Sequence, residues 1–335
     1  MRVLVTGATG FIGGALALRL LARGETVVAL ARRPRRAAAL AQAGALVLPG
    51  DLLDEPSLRA ALTGCEAVIH CAGRPGPATW RLFRRLHVRA TETLVKAAAA
   101  AGARRFVNVA SQTVLFDGQD LLDVGDDAPY PARYIDPYSQ TKAEGERAAM
   151  AANGLCGMTV TSVRPGVVWG RGDRTILPIM VRLARGTGIP ASGPGDNIEA
   201  TSHIDNTVDG LLGALDSPRA PGRTYLILDA FTVTWREFFT RTVEAAGVRA
   251  RFMNVPAALA GPATLLLDRA AGALGLPVPL AHFGLRAAVT SRRFAPSRAR
   301  DDFGYQPRVG WEDGLADLAA WVRRIGGAAA LLKPR

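Results

Sequence analysis

Cysteine, lysine and histidine are scarce in this chain of 335 residues, which contains three cysteines, three lysines and four histidines. Cys65, Cys71 and Cys156 are odd in number and form no CxxC pair, which argues against a disulfide framework. The histidines lack the spacing of metal ligands. The sequence therefore predicts neither an oxidised scaffold nor a bound metal.

Long apolar runs and a leader-like N-terminus are also missing. The most apolar stretch, residues 256–283, is interrupted by Asp268, Arg269 and four prolines, which argues against a membrane span. A weak association of this stretch with a membrane stays open. The chain begins directly on an apolar strand, without the charged and then apolar pattern of a signal peptide. We therefore expect a cytoplasmic protein.

The net charge of +12, from 41 basic and 29 acidic residues, would suit a nucleic-acid partner. Nearly all of the basic residues are arginines, however, and they are scattered along the chain. The densest run, at residues 32–36, has another interpretation below. We therefore expect a small-molecule substrate and no nucleic acid.

Apolar strands alternate with helices through the first half of the chain. Strands without polar alternation are typical of a parallel sheet that helices cover on both faces. The predicted strands are 2–6, 26–31, 45–49, 67–71, 105–110, 159–164 and 224–228, and the predicted helices are 15–23, 83–101, 138–153 and 204–215. This order predicts an α/β fold of Rossmann type, a doubly wound parallel sheet, with a smaller mixed α/β lobe for the substrate.

A glycine-rich turn joins the first strand to the first helix. Residues 6–13, Thr-Gly-Ala-Thr-Gly-Phe-Ile-Gly, have GxxGxxG spacing, which lets the backbone turn tightly and approach a pyrophosphate at a helix N-terminus. A tight turn without a ligand is the alternative. The position directly after an apolar strand favours a dinucleotide site. The expected contacts are Gly7, Thr9, Gly10, Phe11, Ile12 and Gly13.

The end of the second strand indicates which dinucleotide binds. NAD-specific proteins place Asp or Glu there, to accept a hydrogen bond from the 2′-hydroxyl of the adenosine ribose. Here the strand ends in Ala31, and Arg32 and Arg33 follow. No carboxylate repels a 2′-phosphate, and two guanidinium groups can pair with it. The pattern favours NADP(H) over NAD(H), with a solvated arginine loop as the alternative.

Three further strand ends should complete the cofactor site. Residues after the third strand should lie beside the adenine, those after the fourth beside the pyrophosphate and nicotinamide ribose, and those after the sixth beside the carboxamide. The residues concerned are Asp51 and Leu52, then Cys71, Ala72 and Gly73, and finally Pro165, Val167 and Val168. Cys71 is predicted to be a small packed residue rather than a nucleophile.

Tyr138 and Lys142 are four residues apart and should be neighbours on one helix face. A lysine cation and the positive nicotinamide of an oxidised cofactor should lower the pKa of the tyrosine from about 10 toward the working pH. The phenol can then give or take the proton of an alcohol/carbonyl pair while the nicotinamide handles the hydride. Lys142 should also hold the nicotinamide ribose. A surface helix pair is the alternative.

A third group should steady the substrate oxygen. Ser111 follows the fifth strand at the carboxyl edge of the sheet, and Thr113 is the substitute if the register is off by two. His203 is predicted to begin or cap the following helix rather than to act in catalysis. Asp205 and Asn206 are predicted to be helix-start residues.

The strand and helix pattern also divides the chain. Residues 1–165 should form the dinucleotide-binding domain, and residues 204–230 should return to its sheet. Residues 166–203, rich in glycine and proline, are predicted to be binding loops. Together with residues 231–325 they should form the substrate-binding lobe, and residues 326–335 are expected to be a tail.

Together these motifs resemble the extended short-chain dehydrogenase/reductases. The matching segments are TGATGFIG (6–13), GDL (50–52), HCAG (70–73), Ser111, YSQTK (138–142), RPGVVWGRGD (164–173), HIDN (203–206) and FGYQPRVGWEDGL (303–315). RPGVVWGRGD, HIDN and the late apolar segment look like the 3β-hydroxysteroid dehydrogenase-like branch. They are especially similar to the bacterial NADPH-dependent 2-alkyl-3-oxoalkanoate reductases.

The resemblance implies a Rossmann core, Ser-Tyr-Lys catalysis and hydride transfer at a secondary alcohol or ketone. It also implies a homodimer through the helices at 83–101 and 138–153. One departure concerns His87, which stands where many relatives carry the asparagine of an Asn-Val-x-Gly-Thr element. That asparagine helps to organise a water-linked proton path in relatives, so the proton route in this chain is open.

The sequence as a whole predicts an NADP(H)-dependent oxidoreductase that interconverts a ketone and a secondary alcohol on a bulky apolar substrate, of the 3-oxo acyl acid or 3-hydroxysteroid type. One alternative is a nucleotide-sugar epimerase or dehydratase with bound NAD, against which Arg32 and Arg33 argue. Another is a non-catalytic NADP-binding regulator, which would usually have lost the tyrosine or the lysine.

Overall fold

The chain folds around a seven-stranded parallel sheet, which confirms the predicted Rossmann-type fold. The computed structural model describes residues 1–256, 262–276 and 281–333. From one edge to the other, the strands are β3 (Leu46–Pro49), β2 (Thr26–Ala31), β1 (Arg2–Thr6), β4 (Ala67–His70), β5 (Arg105–Val109), β7 (Thr159–Pro165) and β12 (Thr224–Ile227). All neighbouring strands pair in parallel.

The direction in which strands are added reverses beside β1. The chain runs outward from β1 through β2 to β3, and then crosses to β4 on the other side of β1. In open sheets of this kind, ligands bind in the crevice outside the carboxyl ends of the strands at such a reversal. The fold therefore places a candidate site at the ends of β1 and β4.

Helices cover both faces of the sheet. One face carries α1 (Phe11–Ala22) and α8 (Ile204–Asp216), and the other carries α3 (Glu55–Leu62), α5 (Ala90–Ala100) and α6 (Pro137–Met150). Most strand residues are apolar because successive side chains point to opposite, equally covered faces; Asn108, Ser162 and Arg164 are buried polar exceptions on β5 and β7.

The other elements are shorter or lie outside the sheet. The remaining helices are α2 (Ala38–Gln42), α4 (Trp80–Phe83), α7 (Leu177–Arg185), α9 (Trp235–Ala245), α10 (Pro262–Ala273), α11 (Ala281–Ala287), α12 (Ala299–Phe303), α13 (Trp311–Arg324) and α14 (Gly327–Leu331). The strand pairs are β6 (Leu121–Val124) with β15 (Arg292–Phe294), β8 (Val167–Trp169) with β11 (Thr201–His203), β9 (Ile189–Ala191) with β14 (Phe252–Asn254), and β10 (Ile198–Glu199) with β13 (Val233–Thr234).

A second apolar core lies outside the sheet. Helices α7, α9 and α13 pack around the buried side chains of Trp169 and Phe238. Burial of aromatic groups of this size is a main source of stability in a small lobe.

Two predicted helices differ from the observed ones. The first begins at Phe11 rather than at Ala15, because Gly10 takes the extended conformation of an N-cap and Gly13 lies inside the helix. The predicted helix 83–101 is interrupted at Arg84–Arg89, where the backbone forms a π-helical turn. Such a turn inserts an extra residue into the helical ladder, which residue spacing does not reveal.

Two segments are more regular than predicted. Residues 166–203 contain α7 and four short strands rather than loops alone, because apolar residues of α7 such as Leu177 and Val181 are buried in the lobe. The expected tail contains α14, whose Ala328 and Leu331 are buried. Both segments gain their structure from contacts with the lobe.

The apolar stretch at 256–283 lies partly outside the described residues, at 257–261 and 277–280. In the described part of the chain, no helix has both the length and the apolar character that crossing a membrane requires.

Candidate active site

The glycine-rich turn brings backbone N–H groups to the carboxyl end of β1. Gly10 caps α1 without a side-chain hydrogen bond, and the first turn of α1 contains no acidic residue. A Cβ on Gly13 would lie 2.5 Å from the carbonyl oxygen of Gly7, so only glycine lets the turn pack this tightly. The free donors and the positive end of the helix dipole suit a pyrophosphate.

The carboxyl end of β2 carries positive charge and no acid. Ala31 is buried at the end of the strand, while Arg32 and Arg33 are exposed beyond it. Within the described residues, neither arginine forms an ion pair with a carboxylate. Both guanidinium groups are therefore free to meet an anion beside this strand.

The segments after β3 and β4 line the same edge of the sheet. The carboxylate of Asp51 bonds within its own loop, where it accepts a hydrogen bond from the N–H of Leu53 at 3.0 Å. Cys71 lies beside β1, with its N–H 3.2 Å from the carbonyl oxygen of Thr6. Burial raises the pKa of the Cys71 thiol to about 12, although the charge of Lys142 acts against this. The thiol thus stays protonated, which agrees with a packed rather than a nucleophilic role.

Tyr138 and Lys142 lie on the first two turns of α6, at the carboxyl edge of the sheet. Asp136 caps the helix, accepting from the N–H of Ser139 at 2.8 Å, and Pro137 occupies the first helical position. The Lys142 Nζ donates to the carbonyl oxygen of Val109 at 2.7 Å, which ties the lysine to the end of β5.

Burial has the largest effect on the pKa of the Tyr138 phenol. Burial raises it to about 12, the charge of Asp136 adds to this, and a hydrogen bond with Ser111 acts in the opposite direction. The cation of Lys142 does not offset the loss of hydration. The phenol is therefore neutral at physiological pH and has a proton to give.

Burial affects Lys142 as well. It lowers the pKa of the ammonium to about 8, and the charges of Glu146 and Cys71 act in the opposite direction. The desolvated ammonium is a strong hydrogen-bond donor close to its titration point.

Ser111 lies two residues beyond the end of β5 and forms a hydrogen bond with Tyr138. Its Oγ accepts from the N–H of Thr113 at 3.2 Å and from the hydroxyl of Thr113 at 3.1 Å. Two accepted bonds occupy the lone pairs of the oxygen and leave the hydroxyl proton of Ser111 for its hydrogen bond with Tyr138. Thr113 therefore contacts Ser111 directly.

A buried ion pair fixes the third turn of α6 to the sheet. Glu146 receives bonds from Arg164 Nε at 3.0 Å and from the hydroxyls of Ser162 at 2.7 Å and Tyr130 at 2.9 Å. The side chains of Glu146 and Arg164 are almost completely buried. This cluster holds the helix that carries Tyr138 and Lys142.

Aromatic rings surround the phenol. The ring centroid of Tyr138 lies 6.1 Å from that of Phe83, 5.6 Å from that of His87 and 6.4 Å from that of Phe283. Phe283 belongs to α11, which Arg286 ties to the carbonyl oxygen of Gly118 at 2.9 Å. Phe83 and His87 are buried, which leaves the half-buried Phe283 as the apolar ring that a substrate beside Tyr138 could contact.

The segment after β7 leaves the sheet beside this edge. Pro165 ends β7, while Val167 and Val168 are half-buried in β8.

His203 caps α8 by accepting a hydrogen bond from the N–H of Asp205 at 3.3 Å, which confirms the predicted helix start.

One group of possible metal ligands occurs among the described residues: His203, Asp205 and Asp317. Arg171 lies between the two carboxylates, with Nη1 at 2.5 Å from Asp205 and 2.8 Å from Asp317. The guanidinium already supplies the positive charge that these carboxylates require.

The sequence predicts the candidate catalytic residues better than the residues that position them. Asp136 was detectable, since an Asp-Pro pair is a usual helix start. Glu146, Arg164 and Phe283 carried no signal, because their partners are distant in the sequence.

The glycine turn, the arginine pair and the tyrosine–lysine helix at one edge of a doubly wound sheet define a nicotinamide-dependent oxidoreductase. The residues fit such a dinucleotide, since the first turn of α1 offers N–H donors and no acidic side chain to its pyrophosphate. The chain belongs to the NAD dependent epimerase/dehydratase family, whose model matches residues 3–227.

Curated relatives align with almost the whole chain. A 4-hydroxy-2-methyl-3-oxo-4-farnesyl-3,4-dihydroquinoline-1-oxide ketoreductase of Stigmatella aurantiaca is 34% identical and covers 95% of this chain and 96% of its own. A 2-alkyl-3-oxoalkanoate reductase of Stenotrophomonas maltophilia is 30% identical and covers 96% and 99%. Relatives named 3β-hydroxysteroid dehydrogenases are similar over the same length. The predicted family and branch are confirmed.

Solved structures share the fold. MoeE5 in complex with UDP-glucuronic acid and NAD matches with a TM-score of 0.73 and 27% identity, covering 97% of this chain and 99% of its own.

Proposed function

We propose that this enzyme reduces a ketone on a bulky apolar substrate to a secondary alcohol, with NADPH as the reductant. The observation that carries the proposal is the hydrogen-bonded pair of Tyr138 and Ser111, with Lys142 one helical turn further on, at the carboxyl edge of a dinucleotide-binding sheet. Reduction requires an acid at this place, and a phenol that keeps its proton is suited to that direction.

Each of the three residues has its own part. When a substrate is bound, Ser111 donates its hydroxyl proton to the substrate carbonyl oxygen and holds that oxygen beside the phenol. Tyr138 then gives its proton to that oxygen as negative charge develops there. Lys142 donates to the nicotinamide ribose and stabilises the phenolate that Tyr138 becomes. The bound nicotinamide supplies the hydride.

The other predicted contacts complete the proposed cofactor site. Arg32 and Arg33 meet the 2′-phosphate, and Asp51 and Leu52 lie beside the adenine. The remaining contacts are those of the glycine turn, of Cys71, Ala72 and Gly73, and of Pro165, Val167 and Val168. The free arginines after β2 support NADP(H) over NAD(H).

Replacing Arg32 and Arg33 together by alanine is expected to raise the Kd for NADPH by roughly 10- to 100-fold for each charged hydrogen bond lost. The Kd for NADH should hardly change, because NADH lacks the 2′-phosphate. Arg59→Ala, at an exposed pair on α3, serves as the matched control. Fluorescence titration of both nucleotides checks this, and equal losses for NADH and NADPH would contradict it.

The pH dependence of kcat/KM for reduction should follow Lys142. Its pKa of about 8 means that the cation is present below that pH and is lost as the pH rises through it. We expect a plateau on the acid side and a decline above about pH 8, while Tyr138 keeps its proton. Lys142→Arg should move the decline to higher pH; an unmoved decline would assign it to another group.

The half-buried ring of Phe283 beside Tyr138 supports an apolar substrate. The curated relatives act, by their names, on a farnesylated quinoline, on 3-oxoalkanoates and on steroids. Steady-state assays with NADPH across 2-alkyl-3-oxo acids and 3-oxosteroids test the proposal, and turnover of none of these ketones would overturn it.

Epimerisation of a nucleotide sugar is the second candidate. The similarity to MoeE5, which binds UDP-glucuronic acid and NAD, supports it. Arg32 and Arg33 argue against it, since that chemistry uses a retained NAD. Incubation with UDP-glucuronic acid, followed by chromatography of the sugar, distinguishes ketone reduction from epimerisation: a changed sugar configuration would favour epimerisation.

A purely regulatory role is the remaining alternative. It would be supported if Tyr138→Phe left every measured activity intact.

Three further properties belong to this proposal. The Rossmann domain comprises residues 1–165 and 204–230, and the lobe comprises residues 166–203 and 231–325. Free thiols at all three cysteines agree with a reducing compartment such as the cytoplasm. A homodimer would form through α5 and α6, and light scattering at two concentrations tests it.

A further inference from the structure

His87 is a buried titratable group that the proposed chemistry does not use. It lies in the π-helical turn Arg84–Arg89, and 4% of its surface is exposed. Its ring meets the ring of Tyr138 edge-on, at a centroid distance of 5.6 Å and an interplanar angle of 84°. A side chain at this distance from the phenol either carries its proton or holds it in place.

Both ring nitrogens of His87 have partners of fixed direction. The N–H of Arg74 donates to Nε2 at 3.2 Å, so Nε2 carries no proton. The hydroxyl of Thr141 donates to the carbonyl oxygen of Pro137 at 2.7 Å, so its oxygen must accept from Nδ1 of His87, which lies 3.0 Å away. The neutral Nδ1–H form satisfies every donor and acceptor.

A second proton on His87 would have no place. It would sit on Nε2 and face the N–H of Arg74, donor against donor. Burial also lowers the pKa of His87 to about 3, and the facing charge of Lys142 and the neighbouring His70 act in the same direction. The hydrogen-bond chain from Arg74 through His87 and Thr141 ends on the backbone carbonyl of Pro137.

The same contacts join three parts of the site. Arg74 follows Gly73 in the loop after β4, and His87 lies in the π-helical turn. Thr141 lies on α6 between Tyr138 and Lys142. The π-helical turn itself touches α6: a Cβ on Gly145 would lie 2.1 Å from the carbonyl oxygen of His87. The imidazole is therefore wedged between the loop and the helix.

We propose that His87 is a positioning residue that braces Tyr138 through its ring and its two fixed hydrogen bonds, and that it passes no proton. This inference rests on the proposed function, in which Tyr138 is the proton donor. The brace fixes the phenol relative to the loop at Gly73, which is one of the proposed nicotinamide contacts. Displacement of the phenol, rather than loss of a proton carrier, is then the consequence of removing the imidazole.

His87→Phe keeps a ring beside Tyr138 and removes both hydrogen bonds. We expect kcat to fall on the order of 10- to 100-fold, since a displacement of about 1 Å can have that effect. The KM for the ketone and the Kd for NADPH should stay close to those of the wild type. The pH profile of kcat should keep its shape, and added imidazole should restore nothing. An unchanged kcat, a lost limb of the pH profile, or rescue by imidazole would each overturn the proposal.

A second pair of variants leaves His87 in place, in case His87→Phe does not fold. Thr141→Val removes the acceptor of the Nδ1 proton and should lower kcat in the same way. Thr141→Ser keeps the hydroxyl and should recover most of that loss. Equal kcat values for the valine and serine variants would contradict the brace.

Nitrogen NMR of ¹⁵N-histidine-labelled protein tests the bond pattern without any turnover, and so separates this inference from the proposed function. The signals of His87 are assigned by their absence from His87→Phe. We expect the neutral Nδ1–H tautomer, unchanged between about pH 5 and 8, where an ordinary histidine titrates. A neutral Nε2–H tautomer, or titration in that range, would overturn the proposal even if the wild type reduces ketones.

Discussion

Replacing Tyr138 by phenylalanine is expected to lower kcat for ketone reduction by about 10²- to 10⁴-fold, the usual contribution of a positioned acid or base. The substitution removes one oxygen and keeps the ring contacts with Phe83, His87 and Phe283. The Kd for NADPH should hardly change, because Lys142 and the glycine turn are untouched. Stopped-flow measurement of NADPH oxidation gives the rate directly.

Tyr134→Phe is the matched control for this experiment. Tyr134 lies four residues before Tyr138, and its hydroxyl donates to the carbonyl oxygen of Val114 at 2.9 Å. Loss of that bond should have a small effect on stability, about 1 kcal/mol, and leave the rate of reduction near that of the wild type. Equal rates for the Tyr138 and Tyr134 variants would remove Tyr138 from the proposed chemistry.

Replacing Glu146 by glutamine should give the largest loss of stability. Glu146 and Arg164 are 1% and 2% exposed, so the guanidinium would stay buried without a counter-charge. Breaking such a pair by removing one partner costs about 3–5 kcal/mol. Ser162 and Tyr130 would also lose a charged acceptor. Unfolding in guanidinium chloride, followed by circular dichroism, measures the change in the free energy of unfolding.

An exposed ion pair supplies the comparison for Glu146. The side chains of Arg104 and Glu66 are 75% and 39% exposed, and Nη2 of the arginine lies 2.6 Å from the carboxylate. Arg104→Ala should cost at most about 1 kcal/mol, because water screens the pair. Similar losses for Glu146→Gln and Arg104→Ala would show that the buried pair does not anchor α6.

The sequence was most informative where local patterns decide the structure. Apolar strands predicted the sheet, and the glycine spacing predicted the turn before α1, although the helix itself begins at Phe11. Ser111, Tyr138 and Lys142 were predicted from their places at strand ends and on a helix, and the fold brings them to one edge of the sheet. Parallel topology guarantees this, since all strands end at the same edge.

What the sequence did not reveal depends on contacts between distant segments. In the π-helical turn, the carbonyl oxygen of His87 packs against Gly145. Nothing in the sequence around either residue predicts this contact. The sequence predicts that Lys142 and an oxidised nicotinamide lower the pKa of Tyr138, but it does not reveal the opposite effect of burial, which is a property of the whole fold. The lobe was predicted poorly, because α7 and α14 gain their structure from packing on it.

Transfer of deuterium from NADPH labelled at both C4 positions tests the central claim most directly. The protein is incubated with labelled NADPH and a 2-alkyl-3-oxo acid, and the product is analysed by mass spectrometry. The account predicts one deuterium on the new carbinol carbon in the wild type, and almost none within the same time in Tyr138→Phe. An alcohol product without deuterium, or no alcohol product from the wild type, would contradict the account.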